Sequence, residues 1–211
     1  MSDLAALSAA IALHHRPDLS RIARRSALPR GLTFLLEIAA GDPDALAIAA
    51  RETRRTEAEL RRIAGFYIEQ VLFVRDAESY RLLGCNRNAT SAELRRHMAL
   101  LMRWLHPDVT PRTPADTTID RSVFATRIAK AWEDLKSDDR RRAYDATLTK
   151  EATLRPRRRN APTADHDRAK SNKPSAASPR PPGTRKNLPF SKASAASRLF
   201  ARFFAILGRP R

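Results

Sequence analysis

One cysteine, Cys85, excludes a disulfide within the chain and points to a reducing compartment. Aromatic residues make up only 6% of the sequence, while alanine and leucine abound. Strand formers are therefore scarce, and an all-α fold is expected. No window approaches the ~18–20 consecutive apolar residues of a membrane span. The N-terminus carries Asp3 where a secretory signal needs basic residues, and His14-His15 interrupt its apolar run, so it reads as mature structure. There is no glycine-rich phosphate loop, no metal-spaced His/Cys cluster and no nucleophile motif. We expect no catalytic residue, no cofactor, no metal and no enzymatic activity.

Acidic residues are also missing from one end. Residues 1–145 hold 24 Lys/Arg against 20 Asp/Glu, a net of +4, whereas residues 146–211 hold 16 against 3, a net of +13. The body is near neutral and the tail carries the basicity.

Residues 1–78 read as an N-terminal all-helical domain. Leu4, Leu7 and Ile11 mark a first amphipathic helix, with Ser2 as its cap. Pro17-Asp18 opens a second helix, expected to run to about Leu28 before Pro29-Arg30-Gly31 breaks it. Leu32–Ala40 is a strongly apolar third helix stopped by Gly41. Asp42-Pro43 starts a fourth, Asp as N-cap and Pro in the first turn. Thr56-Glu57-Ala58-Glu59 has capping-box spacing and opens a fifth, with Leu60, Ile63, Ala64, Tyr67, Val71 and Leu72 on one face. Arg54, Arg55, Arg61 and Arg62 cluster. They suit nucleic acid, or a solvated face balanced by Glu52, Glu57 and Glu59, and the balanced face is the simpler reading.

The next stretch is the most informative. Thr90 and Glu93 again have capping-box spacing, and Leu94, Met98, Leu101 and Leu105 follow on one helical face. His106-Pro107-Asp108 ends that helix, because proline disfavours helical backbone at His106 and has no N–H to donate. After a polar loop, Phe124, Ile128, Ala131 and Leu135 repeat the spacing. Two antiparallel helices joined near His-Pro-Asp are the simplest arrangement. His106 and Asp108 flank a proline with no third group to orient them, which argues for interaction rather than catalysis. An Asp beside a basic helix is a specific electrostatic signature for a partner of inverse pattern.

Five blocks in order carry a resemblance. They are Ser79-Tyr80-Arg81-Leu82-Leu83-Gly84, Ala89-Thr90-Ser91-Ala92-Glu93-Leu94-Arg95-Arg96, His106-Pro107-Asp108, Ile128-Ala129-Lys130-Ala131-Trp132-Glu133-Asp134-Leu135, and Arg140-Arg141-Arg142-Ala143-Tyr144-Asp145. Together residues 79–148 resemble the J domain of DnaJ-type co-chaperones. The resemblance implies a helical hairpin with short flanking helices and a DnaK-type chaperone ATPase as partner. It implies that Asp108 engages an arginine where the chaperone's nucleotide domain meets its linker, and that His106 and Pro107 shape the loop. Arg95, Arg96 and Arg103 on the long helix would steer docking, and ATP hydrolysis on the partner would accelerate. Three departures are visible. Met98, Ala99 and Leu100 replace commonly polar or basic positions, and Trp104 stands where Lys is common, which thins the basic face. Phe124 and Ile128 are four apart where the family usually has three. The glycine/phenylalanine linker, zinc repeats and β-rich client domain of full-length members are not found, so a specialised J protein is expected.

Residues 149–196 are Pro, Ser, Ala, Lys and Arg with few large apolar side chains, the composition of a disordered basic linker. In residues 197–208, Leu199, Phe200, Phe203, Phe204 and Leu207 would share one side of an amphipathic helix, with Arg198 and Arg202 opposite. Such a helix suits an anionic membrane surface, and equally a return to the body or a partner's groove. Location is expected in the cytoplasm, with the inner-membrane periphery as the alternative. Two other readings stay open: nucleic-acid binding through the basic tail, and a membrane-surface adaptor whose J-like segment activates no chaperone.

Overall fold

The computed structural model describes residues 4–106 and 120–154. Among them every regular element is helical and no strand occurs. Helix α1 (Ala5–His15) buries Ala6, Leu7, Ala10 and Leu13. Leu4 and Ile11 lie at the rim of this face, so the core-facing stripe is turned toward the small alanines. Its expected cap, Ser2, lies outside the described residues. A 3₁₀ turn at Pro17–Leu19 leads into α2 (Ser20–Ala23). This helix ends well before Leu28: the Ser26 hydroxyl donates at 3.0 Å to the Ile22 carbonyl, the acceptor its own N–H also uses at 3.1 Å. That local bond competes with continued helix.

Helix α3 (Leu32–Ala40) stops at Gly41, which is left-handed at φ 76°. Helix α4 (Pro43–Thr53) is capped by the Asp42 carboxylate, which accepts the Ala45 N–H at 3.0 Å. Helix α5 (Glu57–Tyr67) is capped by Thr56, whose hydroxyl accepts the Glu59 N–H at 3.3 Å. The helix runs on into a π turn at Ile68–Leu72. Leu60, Ile63, Ala64, Tyr67, Val71 and Leu72 are all buried, as their spacing requires.

Helices α6 (Ser79–Leu82), α7 (Ser91–Leu105), α8 (Arg121–Leu135) and α9 (Asp138–Leu154) follow. The end of α7 meets the start of α8, where Arg121 reaches the Leu105 carbonyl, so the two pack as an antiparallel pair. The buried seam of α8 is Ala125, Ile128, Ala131 and Leu135. Ala125, not Phe124, holds the first position, which restores a spacing of three. Phe124 instead turns sideways and stacks on Phe73, rings nearly parallel with centroids 4.3 Å apart. Helix α6 lies against α8 and is tied to α9, because Tyr144 Oη accepts the Ser79 N–H at 2.8 Å and Tyr80 Oη donates to Asp145 at 3.2 Å.

Helix α7 is buried on two sides. It packs on α8, and it also packs on α3. Leu94, Met98, Leu101 and Leu105 are covered, and so are His97, Met102 and Trp104. The Trp104 ring lies 5.8 Å from Phe73 and against Gly65 of α5, 3.4 Å from where a Cβ would stand. Side chains from α1, α3, α4 and α5 therefore share one continuous buried cluster with those of α6, α7 and α8. Gly84 sits in the same seam, left-handed at φ 66°, where a Cβ would come within 2.7 Å of Leu32.

Trp104 is only 2% exposed, and removing a buried large aromatic leaves a cavity that close packing cannot fill. Trp104→Ala is expected to cost about 3–5 kcal/mol. Urea unfolding of the two proteins measures this, and a loss below about 1 kcal/mol would show that α7 is not wedged against α5 as described.

Candidate partner-docking site

The long helix that leads to His-Pro-Asp is fixed at both ends. At its start the Thr90 hydroxyl accepts the Glu93 N–H at 3.1 Å. At its end His106 is extended, φ −65° and ψ 131°, as a residue before proline must be. The His106 N–H still donates to the Arg103 carbonyl at 3.1 Å. Arg121 Nη1 donates to the carbonyls of Leu105 (3.4 Å) and His106 (3.5 Å). A cation there offsets the negative end of the helix and anchors the peptide entering the loop. His106 is half-buried; Pro107 and Asp108 lie outside the described residues.

The three arginines expected to steer docking are all on the surface of α7. Arg95 and Arg103 make no ion pair among the described residues, whereas Arg96 pairs with Glu37 of α3. Ala92, Arg95, Ala99 and Arg103 recur at three, four and four, which places them on one ridge. Ala92, Arg95 and Arg103 are exposed and Ala99 is partly so. The flanks of this ridge are taken, one by α8 and one by α3 and α5. The helix thus offers a partner a single basic edge. Leu199, Phe200, Phe203, Phe204 and Leu207 lie outside the described residues, as does the expected basic linker beyond Leu154; its first residues, 149–154, continue helix α9 instead of starting a disordered segment. In the arginine cluster of the N-terminal helices, Arg55 pairs with Glu59 and hydrogen-bonds His15 at 3.0 Å. That is charge already balanced locally.

Behind the ridge is a polar cluster that sequence spacing did not reveal. His97 is 1% exposed. Its Nδ1 lies 2.9 Å from the Leu83 carbonyl and 3.2 Å from Cys85 Sγ, and its Nε2 lies 2.7 Å from Thr33 Oγ1 on α3. One tautomer satisfies most of this: Nδ1–H donates to Leu83, and Nε2 accepts from the Thr33 hydroxyl. Burial lowers the His97 pKa from its usual 6.5, only partly opposed by the Leu83 backbone bond, so the ring is neutral at physiological pH. Burial likewise pushes the Cys85 thiol up to about 12. Cys85 is thus an inert buried thiol. Among the described residues, Cys85, Glu93 and His97 are the group whose ligand atoms come within 4.8 Å of one another. A metal there would need the Cys85 proton removed and the Nδ1–Leu83 bond given up, so the hydrogen-bonded cluster is the better description. The detectable signal was Leu94, His97, Leu101 and Trp104, a second stripe on α7 spaced three, four and three. A polar histidine in it conceals the stripe.

Among the described residues no helix is long and apolar enough to cross a membrane. Residues 78–145 match the DnaJ domain family model. Over 71 residues the chain is 35% identical to the chaperone protein DnaJ 1 of Aquifex aeolicus (strain VF5). That alignment covers 34% of this chain and 18% of the relative, so the chain matches less than a fifth of the relative's length. No solved structure matches. The likeness is confined to the hairpin and its flanking helices, and the N-terminal helices stand outside it.

A neutral buried His97 has a sign consequence for stability. The unfolded chain protonates this ring near pH 6.5, and the folded chain only at lower pH. The stability linked to His97 is complete above about pH 6.5 and is lost as the pH falls through the folded value. His14, whose pKa burial also lowers, adds in the same direction. Melting temperature measured from pH 7.5 to 5.0 should fall, and should fall less steeply in His97→Gln. Equal slopes in the two proteins would contradict a neutral buried ring.

Proposed function

We propose that this chain is a specialised J-domain co-chaperone, which docks on a DnaK-type chaperone and accelerates its ATP hydrolysis. The observation that carries the reading is the pairing of two things on one helix. Residues 78–145 match the DnaJ domain, and α7 presents Arg95 and Arg103, which make no ion pair among the described residues, on an exposed edge that precedes His106-Pro107-Asp108 in the chain. A row of cations steers diffusional encounter with an acidic surface and fixes its register. Asp108 then supplies one anion beyond the end of that row, a pattern matched by a partner arginine flanked by acidic residues. His106, whose extended backbone is held by Arg121, sets the direction of the chain into the loop.

In this reading the protein itself hydrolyses nothing. Its task is to hold one charged edge in a fixed geometry, and the chemistry belongs to the partner. Residues 1–78 and the tail from 149 onward would select where the chaperone is recruited.

Single-turnover ATP hydrolysis by a bacterial DnaK-type chaperone tests the proposal, with the wild-type chain and with Asp108→Asn added over a concentration range. Removing one partner of a desolvated charge pair costs ~2–5 kcal/mol, on the order of 30-fold or more in affinity. Stimulation by the wild type and its near loss in the variant are expected. Equal stimulation by both, or none by either with the chain folded, would sink the reading.

A further inference from the structure

Glu37 is the single charged residue of α3, whose sequence Leu32-Thr33-Phe34-Leu35-Leu36-Glu37-Ile38-Ala39-Ala40 is otherwise nearly all apolar. Its side chain is 16% exposed, and its carboxylate Oε1 meets Arg96 Nη2 on α7. Arg96 itself remains 63% exposed. A carboxylate this far covered, on a helix packed between α5 and α7, is not needed to keep that face soluble. It is instead placed where it can reach the basic edge of α7. Of Arg95, Arg96 and Arg103, it engages only the one on the side toward α3.

We propose that Glu37 is an intramolecular competitor for Arg96 that tunes docking on the basic edge of α7. This inference rests on the co-chaperone reading. The N-terminal helices are held against α7 by the Thr33–His97 bond (2.7 Å) and by Trp104 against Gly65, so Glu37 cannot move away as a unit when a partner arrives. An acidic partner surface gains Arg95 and Arg103 directly, and gains Arg96 only by drawing it off Glu37. The competition is built into the resting protein, and its strength is limited because Arg96 is exposed to solvent. Its effect is therefore graded: the same edge binds a strongly acidic surface and discriminates against a weakly acidic one.

The test is a double-mutant cycle on half-maximal concentration for stimulating a DnaK-type chaperone, using full-length wild type, Glu37→Gln, Arg96→Ala and the double variant. Gln keeps the shape of Glu37 and removes its charge. Glu37→Gln should lower the half-maximal concentration about two- to five-fold, the range set by an exposed ion pair. Arg96→Ala should raise it, and the double variant should match Arg96→Ala alone. The gain from Glu37→Gln should shrink as salt rises from about 50 to 300 mM, since exposed charges are screened. If Asp108-dependent stimulation is present but Glu37→Gln is neutral or weakening, or improves docking without Arg96, the competitor role is overturned and the co-chaperone reading stands. If the wild type gives no Asp108-dependent stimulation, both are overturned together.

Discussion

Helix α7 has two apolar neighbours to satisfy at once. An amphipathic helix usually buries one stripe and gives the rest to solvent. Here Leu94, Met98, Leu101 and Leu105 form one stripe, His97 and Trp104 extend it around the helix, and α3, α5 and α8 close over the result. What is left to solvent is a ridge of small and basic residues. The placement of the proposed docking edge is thus a by-product of packing: Arg95 and Arg103 are on the ridge that α3, α5 and α8 leave open, with Arg96 exposed at its border toward α3. Trp104, standing where a lysine is common in the resembled family, exchanges a docking charge for a core contact.

Burying a helix on two sides brings main-chain and polar groups inside with it, and each needs a partner. Arginines supply many of them. Arg81 of α6 donates to the carbonyls of Ala23 (2.9 Å), Ser26 (3.1 Å) and Val71 (3.1 Å), closing the end of α2 and the π turn together. Arg24 meets Gln70 through both its main-chain and side-chain oxygens. Arg127 of α8 holds the carbonyls of Val74 and Arg75 at 2.7 and 3.0 Å, with its guanidinium 5.0 Å above the Phe124 ring. Charge-assisted bonds of this type are stronger than neutral ones. Those of Arg81 and Arg127 run between the N-terminal helices and the J-like hairpin, while Arg24 ties α2 to the π turn within the N-terminal segment, so the two segments are joined by polar cross-links as well as by the shared core. The cost is that these arginines are spent internally, although composition alone would count them as surface charge.

The helix ends were legible in the sequence, in the hairpin and in the N-terminal helices alike, because their signals are local. Thr90, Asp42 and Thr56 cap the helices they precede, Gly41 ends α3, and the extended backbone of His106 follows from the proline after it. The limits of reading appear wherever a long-range contact decides. Phe124 fits the seam by spacing, yet Phe73 from a distant segment draws it aside and Ala125 takes its place. His97 looks like a surface residue of a basic helix until Thr33 is brought to its ring. The π turn at Ile68–Leu72 has no sequence mark at all; it inserts one residue so that Val71 and Leu72 stay on the buried side while Phe73 turns toward Trp104. Periodicity reports one face of one helix, and a helix shared between two layers has a second face that periodicity does not separate from the first.

Native-state hydrogen exchange on the intact chain tests this shared-helix account most directly. Exchange free energies group by cooperative unit. If α7 is common to both layers, the slowest amides of α3, α5, α7 and α8 should exchange together, with one free energy and one dependence on denaturant, equal to those of global unfolding. A lower free energy for α3 and α5, with α7 and α8 still protected after the N-terminal helices open, would contradict it. The hairpin would then be a self-sufficient unit with helices merely resting on it, and the narrowing of the docking edge would not be an obligate property of the fold.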